Sequence, residues 1–116
     1  MEMLESKAKA LKIAEFASGK KANNIVVLDV SEISGLCDYF VICSAESAQQ
    51  VEAISRDAIR RCRKDKLKMR HFEKDKLMRW VLVDFFDVIL HVFLEEARSF
   101  YNLEYLWSAA KKVPLV

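Results

Sequence analysis

Two aspartates, Asp84 and Asp87, are the side chains of this sequence with which metal-dependent chemistry could be built. They stand three positions apart and flank a short connection between two apolar runs. Nucleotidyl transfer needs closely placed carboxylates that hold a divalent metal, together with a small Gly-Ser turn. Cys43-Ser44 stands where Gly-Ser would be, and the two aspartates fall across a turn instead of on one strand face. We therefore predict no catalytic residues, no metal and no cofactor.

The two histidines and three cysteines do not form a recognisable nucleophilic site. A Ser-His-Asp hydrolase sets its serine on a Gly-rich turn, which this sequence lacks, and His71 and His91 are its only histidines. His91 falls within an apolar run, which favours a hydrogen-bonded structural histidine over a general base. Cys43 is favoured as a small core residue over a nucleophile. Three cysteines without a CxxC pair predict reduced thiols, and two glycines exclude a phosphate-binding Gly-rich loop.

The two aspartates lie in a predicted β-hairpin. The apolar runs Trp80–Val83 and Val88–Leu94 have the length and the β-branched and aromatic content of strands. The connection between them is short enough for antiparallel pairing. Glu95-Glu96 suits the first turn of a following helix, because carboxylates favour the positive helix N-terminus. That helix would carry an apolar face formed by Phe100, Leu103, Leu106 and Trp107.

Two more helices are predicted from apolar spacing. Met3–Ser18 has the three- and four-residue periodicity of one helix. The second helix begins at Ser47, which with Gln50 three residues later forms a capping-box pattern. The predicted buried faces are Ala10, Ile13, Ala14 and Ala17 in the first helix, and Val51, Ile54, Ala58 and Cys62 in the second.

Three further strands complete an α/β domain. Ile25–Val30 and Asp38–Cys43 contain continuous apolar runs, as in strands covered on both faces, and Lys68–Phe72 is a short strand. The first two strands and the hairpin cannot all be parallel, so a single domain with a mixed β-sheet flanked by helices is predicted. We place this domain at residues 1–108 and expect residues 109–116 to form a frayed C-terminal tail.

Charge is unevenly distributed along the chain. Residues 56–79 hold eleven Lys or Arg against four Asp or Glu, whereas residues 84–107 hold five acids against one Arg. The basic cluster at the end of the second helix suits the helix dipole and equally suits contact with RNA phosphates. Its members are Arg60, Arg61, Arg63, Lys64 and Lys66, and the first four are the candidate phosphate contacts. No apolar run has the length of a membrane span and no signal-peptide core opens the chain, so we expect a cytoplasmic protein without a membrane partner.

Several short motifs follow one another in an order that resembles the ribosomal silencing factor family, also called Iojap-like. They are Asp38-Tyr39-Phe40-Val41-Ile42-Cys43, Ser47 with Gln50-Val51, Trp80 with Val83-Asp84, Asp87-Val88 with His91 and Phe93, and Tyr101 with Leu103-Glu104 and Leu106-Trp107. The resemblance covers about residues 24–108. Phe86 and Lys74 stand where family members usually carry glycine, which often serves a positive φ. These two replacements therefore bear on the local turn geometry and on the partner surface.

The resemblance implies a fold similar to nucleotidyltransferases but without their active site. It also implies a translational repressor, or an assembly factor, that binds the large ribosomal subunit through ribosomal protein fourteen and hinders joining of the small subunit. Family members are also suspected of forming homodimers, and a secondary contact to ribosomal RNA would suit the basic cluster. A divergent nucleotidyltransferase and a general RNA-binding module are the alternative functions.

Candidate partner-binding residues follow from this expected partner. Ribosomal proteins are generally basic, so an acidic surface with aromatic anchors suits one. The aromatic candidates are Trp80 and Tyr101, and the acidic candidates are Asp84, Asp87, Glu95 and Glu104. A core position for Trp80 and helix-end or surface roles for the acids are the open alternatives.

Overall fold

The predicted hairpin lies within a six-stranded mixed sheet. The computed structural model describes residues 5–115. In chain order its elements are α1 (Ser6–Gly19), β1 (Asn23–Asp29), α2 (Ser31–Ser34), β2 (Tyr39–Ala45), α3 (Ala48–Lys64), β3 (His71–Lys74), β4 (Trp80–Asp84), β5 (Val88–Leu94), α4 (Glu95–Tyr101), α5 (Leu103–Leu106) and β6 (Lys111–Val113). The strands lie in the order β3-β4-β5-β2-β1-β6.

Strand pairing confirms both the hairpin and the mixed sheet. In the antiparallel pair β4–β5, Trp80 lies opposite Phe93. β2 and β5 pair in parallel, with Tyr39 opposite Val88. The other described pairs, β1–β2, β1–β6 and β3–β4, are antiparallel. The chain reaches the parallel partner through α3 and the β3–β4 pair, because parallel strands need such a long connection.

Helices α1 and α3 cover one face of the sheet. All eight apolar residues predicted to face the core from these two helices are buried, which confirms both periodicities. The Ser47 hydroxyl accepts a hydrogen bond from the Gln50 backbone N–H at 3.1 Å, so the predicted cap also forms. This face holds the main core, in which Val41, Val83 and Leu90 are fully buried.

The opposite face is only partly covered, by α4, α5 and the segment that follows them. Phe40, Ile42 and Phe93 are buried there, and Leu103 and Trp107 pack against them. Near β4, fewer residues of these helices cover the sheet. Residues such as Trp80 and Leu82 are therefore only half-buried on this side of the sheet.

The prediction of a single C-terminal helix after Glu95-Glu96 is wrong, because Asn102 separates two short helices, α4 and α5. Asn102 has φ +49° and ψ +51°, a left-handed conformation that asparagine tolerates better than most residues and that ends α4. The proposed apolar face is divided by this break. Phe100 and Leu106 are 80% and 72% exposed, whereas Leu103 packs against the sheet.

The C-terminal tail also differs from the expectation of fraying. Residues 111–113 form β6 and pair with β1, with Val113 opposite Val27 and Lys111 opposite Asp29. The short third strand is shifted as well: it spans His71–Lys74, not Lys68–Phe72. For β6 the pairing partner lies far away in sequence, and a local pattern does not contain it.

Candidate partner-binding site

Trp80 and Tyr101 lie together at the open part of the sheet face. Their ring centroids are 4.9 Å apart, and Trp80 lies 4.9 Å from the buried ring of Phe93. The indole N–H of Trp80 donates a hydrogen bond to Nδ1 of His91 at 3.2 Å. Tyr101 is 40% exposed at the end of α4. A strand and a helix thus hold two aromatic rings in a fixed arrangement at the surface.

A shallow cavity adjoins these rings and adds residues that the sequence did not single out. Its volume is about 290 Å³, and Leu82, Glu73 and Asp75 line it with Trp80 and Tyr101. We call Trp80, Leu82 and Tyr101 the aromatic platform. Glu73 points to this side because it lies opposite Leu82 in the β3–β4 pair. The register of β3 could have identified Glu73, but the strand was predicted at Lys68–Phe72, which ends before this residue.

His91 supports the platform from below as a neutral side chain. Its Nδ1 accepts the Trp80 hydrogen bond, so its proton sits on Nε2, which is buried without a partner among residues 5–115. Phe40 lies edge-on to the imidazole at 4.7 Å. Complete burial lowers the pKa of His91 from 6.5 to about 3. The predicted hydrogen-bonded structural histidine is confirmed.

We expect the buried His91 to make the folded protein less stable in mild acid. Below pH 6.5 the unfolded chain binds a proton at His91 that the folded chain refuses until about pH 3. The free energy of unfolding should therefore decrease as the pH is lowered through this window, by about 2 kcal/mol from pH 6.5 to pH 5. Urea denaturation at several pH values measures it. His91→Leu should flatten the slope and the exposed His71→Leu should keep it; equal slopes in wild type and His91→Leu would contradict this assignment.

Asp84 is buried within the hairpin and satisfied by internal partners. One carboxylate oxygen accepts the Phe86 backbone N–H at 2.7 Å, and the other accepts Nε of Arg70 at 3.1 Å. Phe86 has φ +76°, so the left-handed geometry expected of glycine at this turn is kept by a phenylalanine. Lys74, the other departure, lies in a regular strand. Asp84 thus stabilises the turn that joins β4 to β5.

Asp87 is held by two residues of α1. Nζ of Lys9 lies 2.6 Å from one carboxylate oxygen, and the Ser6 hydroxyl lies 2.5 Å from the other. Lys9 also donates to the Phe85 carbonyl oxygen at 2.6 Å. Burial alone would raise the pKa of Asp87, but the hydrogen bonds from Lys9 and Ser6 outweigh it and leave this pKa below its ordinary value. Asp87 therefore ties the hairpin turn to α1.

Glu95 and Glu104 also have internal partners. Arg98 forms a two-pronged ion pair with Glu104, with N–O distances of 2.9 and 3.1 Å. The same guanidinium donates to the Ser44 hydroxyl at 3.1 Å. Glu95 accepts from the Asn23 side chain at 3.1 Å. These bonds fix α4 and α5 against the strands, and they thereby hold the helix that carries Tyr101.

The basic cluster divides into paired and unpaired residues. Arg60 and Arg61 both bind the buried carboxylate of Asp57, at 2.5 and 2.9 Å. Arg63 and Lys64 are exposed and form no ion pair among the described residues. The end of α3 therefore offers Arg63 and Lys64 to an external anion more freely than Arg60 and Arg61.

The groups considered for catalysis are placed in structural roles. Cys43 is fully buried, as predicted, and burial raises the pKa of its thiol to about 12. Ser44 is buried and accepts from Arg98. In the part of the chain that the structure describes, no three His, Cys, Asp or Glu side chains are grouped so that they could hold a metal ion. Within the same part, no helix is long and apolar enough to cross a membrane.

Comparison with known proteins decides the family. Residues 3–116 match the family described as ribosomal silencing factor during starvation. The chain belongs to this family. It is 44% identical over 101 residues to the ribosomal silencing factor of Bacillus subtilis, and the aligned region covers 86% of each chain. Membership confirms the resemblance and assigns the chain to ribosome silencing, a form of translation regulation.

A more distant relative also matches this chain, and a solved structure has a similar fold. The chain is 36% identical over 111 residues to the chloroplastic Iojap protein of Arabidopsis thaliana, with 96% of this chain and 46% of that protein covered. A crystal structure from Bacillus halodurans superposes with a TM-score of 0.80 at 35% identity, covering 92% of this chain and 98% of the other. The fold is therefore shared with this solved structure.

Proposed function

We propose that this protein is a non-catalytic translational repressor of the cytoplasm that uses its aromatic platform to bind the large ribosomal subunit. The contacted component is ribosomal protein fourteen, and the bound domain sterically blocks joining of the small subunit. The observation that carries the proposal is the pair Trp80 and Tyr101, held 4.9 Å apart at the surface by a strand, a helix and the His91 hydrogen bond.

A rigid aromatic pair beside a shallow cavity is the arrangement expected of a binding hot spot. Trp and Tyr dominate the energetics of interfaces because they bury a large area at small entropic cost. Here the Trp80 indole is already fixed by Phe93 and His91 before binding. Little conformational freedom is lost on association, so the platform can supply affinity from a small surface.

The charged residues that line the platform cavity are Glu73, Lys74 and Asp75, and Asp75 is paired with Arg79. The exposed Glu73 lines the cavity and can meet a lysine or arginine. Asp75 lines it too, with its pKa held well below the usual range by the hydrogen bond from Arg79. In this proposal the four candidate acids position structural elements and do not contact the partner. Asp84 and Asp87 position the hairpin, and Glu95 and Glu104 position α4.

The size of the domain is sufficient for steric inhibition. Its principal extents are 39 × 33 × 27 Å. A standard interface covers about 800 Å² on each partner, so one bound copy can occupy the place of an intersubunit contact without any catalytic step. The unpaired Arg63 and Lys64 can add a secondary contact to ribosomal RNA phosphates.

Co-sedimentation with purified subunits tests the binding step. We expect the protein to pellet with large subunits, not with small ones, at near-physiological ionic strength. Isolated ribosomal protein fourteen should compete for the protein and reduce the pelleted fraction. Equal binding to both subunits, or none to the large subunit, would overturn the proposal.

A further inference from the structure

Two neighbouring cavities lie on the helix side of the sheet, away from the aromatic platform. The first has a volume of about 370 Å³ and lies between α3 and the β3–β4 pair. The second, of about 400 Å³, lies between the end of α3, residues 66–69 and Phe86. Ile59 and Arg63 line both cavities. The two cavities therefore adjoin each other at these residues, and we call them together the basic groove.

The side chains around the basic groove are mostly cationic. Its cationic lining residues are Arg56, Arg60, Arg63, Lys66, Lys68 and Lys74, against the single acid Glu52. Glu52 is already bound by Arg56 at 2.8 Å. Within residues 5–115, Arg63, Lys66, Lys68 and Lys74 have no ion-pair partner. The groove thus carries positive charge that a chain of phosphates could neutralise.

Each of the two cavities also contains an exposed aromatic ring. Phe72 lines the first and is 46% exposed, and Phe86 lines the second and is 43% exposed. The guanidinium of Arg70 lies 4.9 Å from the centroid of Phe86. Aromatic rings and arginine planes are the surfaces on which unpaired bases stack. The exposed rings of Phe72 and Phe86 therefore offer two surfaces in the cationic groove on which unpaired bases can stack.

We propose that the basic groove binds a single strand of RNA, with its phosphates on the lysines and arginines and its bases on Phe72 and Phe86. A duplex keeps its bases stacked on one another and would leave these rings unused. Phe72 lies opposite Val83, whose side chain faces α1 and α3, whereas Trp80 and Leu82 face the other side. The groove and the platform therefore lie on opposite faces of the sheet and share only Lys74 among their lining residues. The inference extends the secondary RNA contact proposed for Arg63 and is distinct from binding through the platform.

Fluorescence anisotropy with the full chain and a labelled, unstructured oligouridine RNA of about 12 nucleotides tests this proposal. We expect binding that weakens steeply as KCl rises from about 50 to 200 mM, with a clear preference over a duplex RNA of the same length. Phe72→Leu, which keeps an apolar side chain, should weaken binding about tenfold. Arg63→Glu should weaken binding and reduce the salt dependence.

Matched controls separate a defined groove from general charge attraction. Lys112→Glu changes net charge as much as Arg63→Glu, but lies on the exposed β6 at the far edge of the sheet, and should have little effect. Trp80→Ala should leave RNA affinity unchanged, which distinguishes this site from subunit binding through the platform. The proposal is overturned if the duplex binds as tightly, if Phe72→Leu has no effect, if both charge variants weaken binding equally, or if no binding occurs at low salt.

Discussion

Trp80→Ala should reduce affinity for the large ribosomal subunit by about 100-fold or more, because it removes the central ring of the aromatic platform. Trp80 is half-buried, contacts Tyr101 and Phe93, and lies beside the open cavity. Truncation deletes the apolar contact area and leaves Nδ1 of His91 without its donor. Quantitative co-sedimentation over a range of subunit concentrations measures the loss.

The aromatic platform offers a matched control for this experiment. Tyr101→Ala should weaken binding by about tenfold, whereas Tyr105→Ala should leave it unchanged. Tyr105 is an exposed tyrosine of α5 that does not line the platform cavity. Trp80→Phe, which keeps a ring but loses the N–H, should bind with intermediate affinity. If folded Trp80→Ala binds like wild type, the platform is not the binding site.

Lys9→Met should lower the free energy of unfolding by about 3 kcal/mol, because it removes the cation from a largely buried pair. Lys9 is only 8% exposed, and its ammonium contacts both the Asp87 carboxylate and the Phe85 carbonyl oxygen. Methionine fills much of the same volume, so the loss reports the polar contacts. Urea denaturation followed by circular dichroism measures the change.

Lys12→Met supplies the matched control on the same helix. Lys12 lies 3.1 Å from Asp65, and both side chains are more than one-third exposed. An exposed pair of this kind contributes about 0 to 1 kcal/mol, so Lys12→Met should be nearly neutral. Equal destabilisation by Lys9→Met and Lys12→Met would show that the link between α1 and the hairpin has no special role.

Elements with strong local signals were predictable from sequence. Trp80–Val83 and Val88–Leu94 correspond to β4 and β5 almost residue for residue, because each is an uninterrupted apolar run of strand length with a short turn between them. Ser47 and Gln50 marked the start of α3 for a comparably local reason, since the cap bond spans only three residues.

The ion-pair partners of the acidic residues could not be predicted from the sequence. Asp84, Asp87 and Glu104 could be identified as charged, but their partners Arg70, Lys9 and Arg98 cannot be inferred from spacing alone. The partners of Asp84 and Asp87 lie 14 and 78 positions away. Ion pairs of this kind depend on the tertiary fold. For this reason the sequence suggested a partner-binding role for acids that stabilise the hairpin and α4 in the structure.

The most direct test of the central claim is a subunit-joining assay followed by light scattering. Purified large subunits are incubated with the protein and then mixed with small subunits, and the rise in scattering reports ribosome formation. We expect the wild-type protein to suppress this rise in proportion to its binding, and Trp80→Ala to restore it. Joining that proceeds unhindered on large subunits saturated with wild-type protein would show that the bound protein is not a steric repressor.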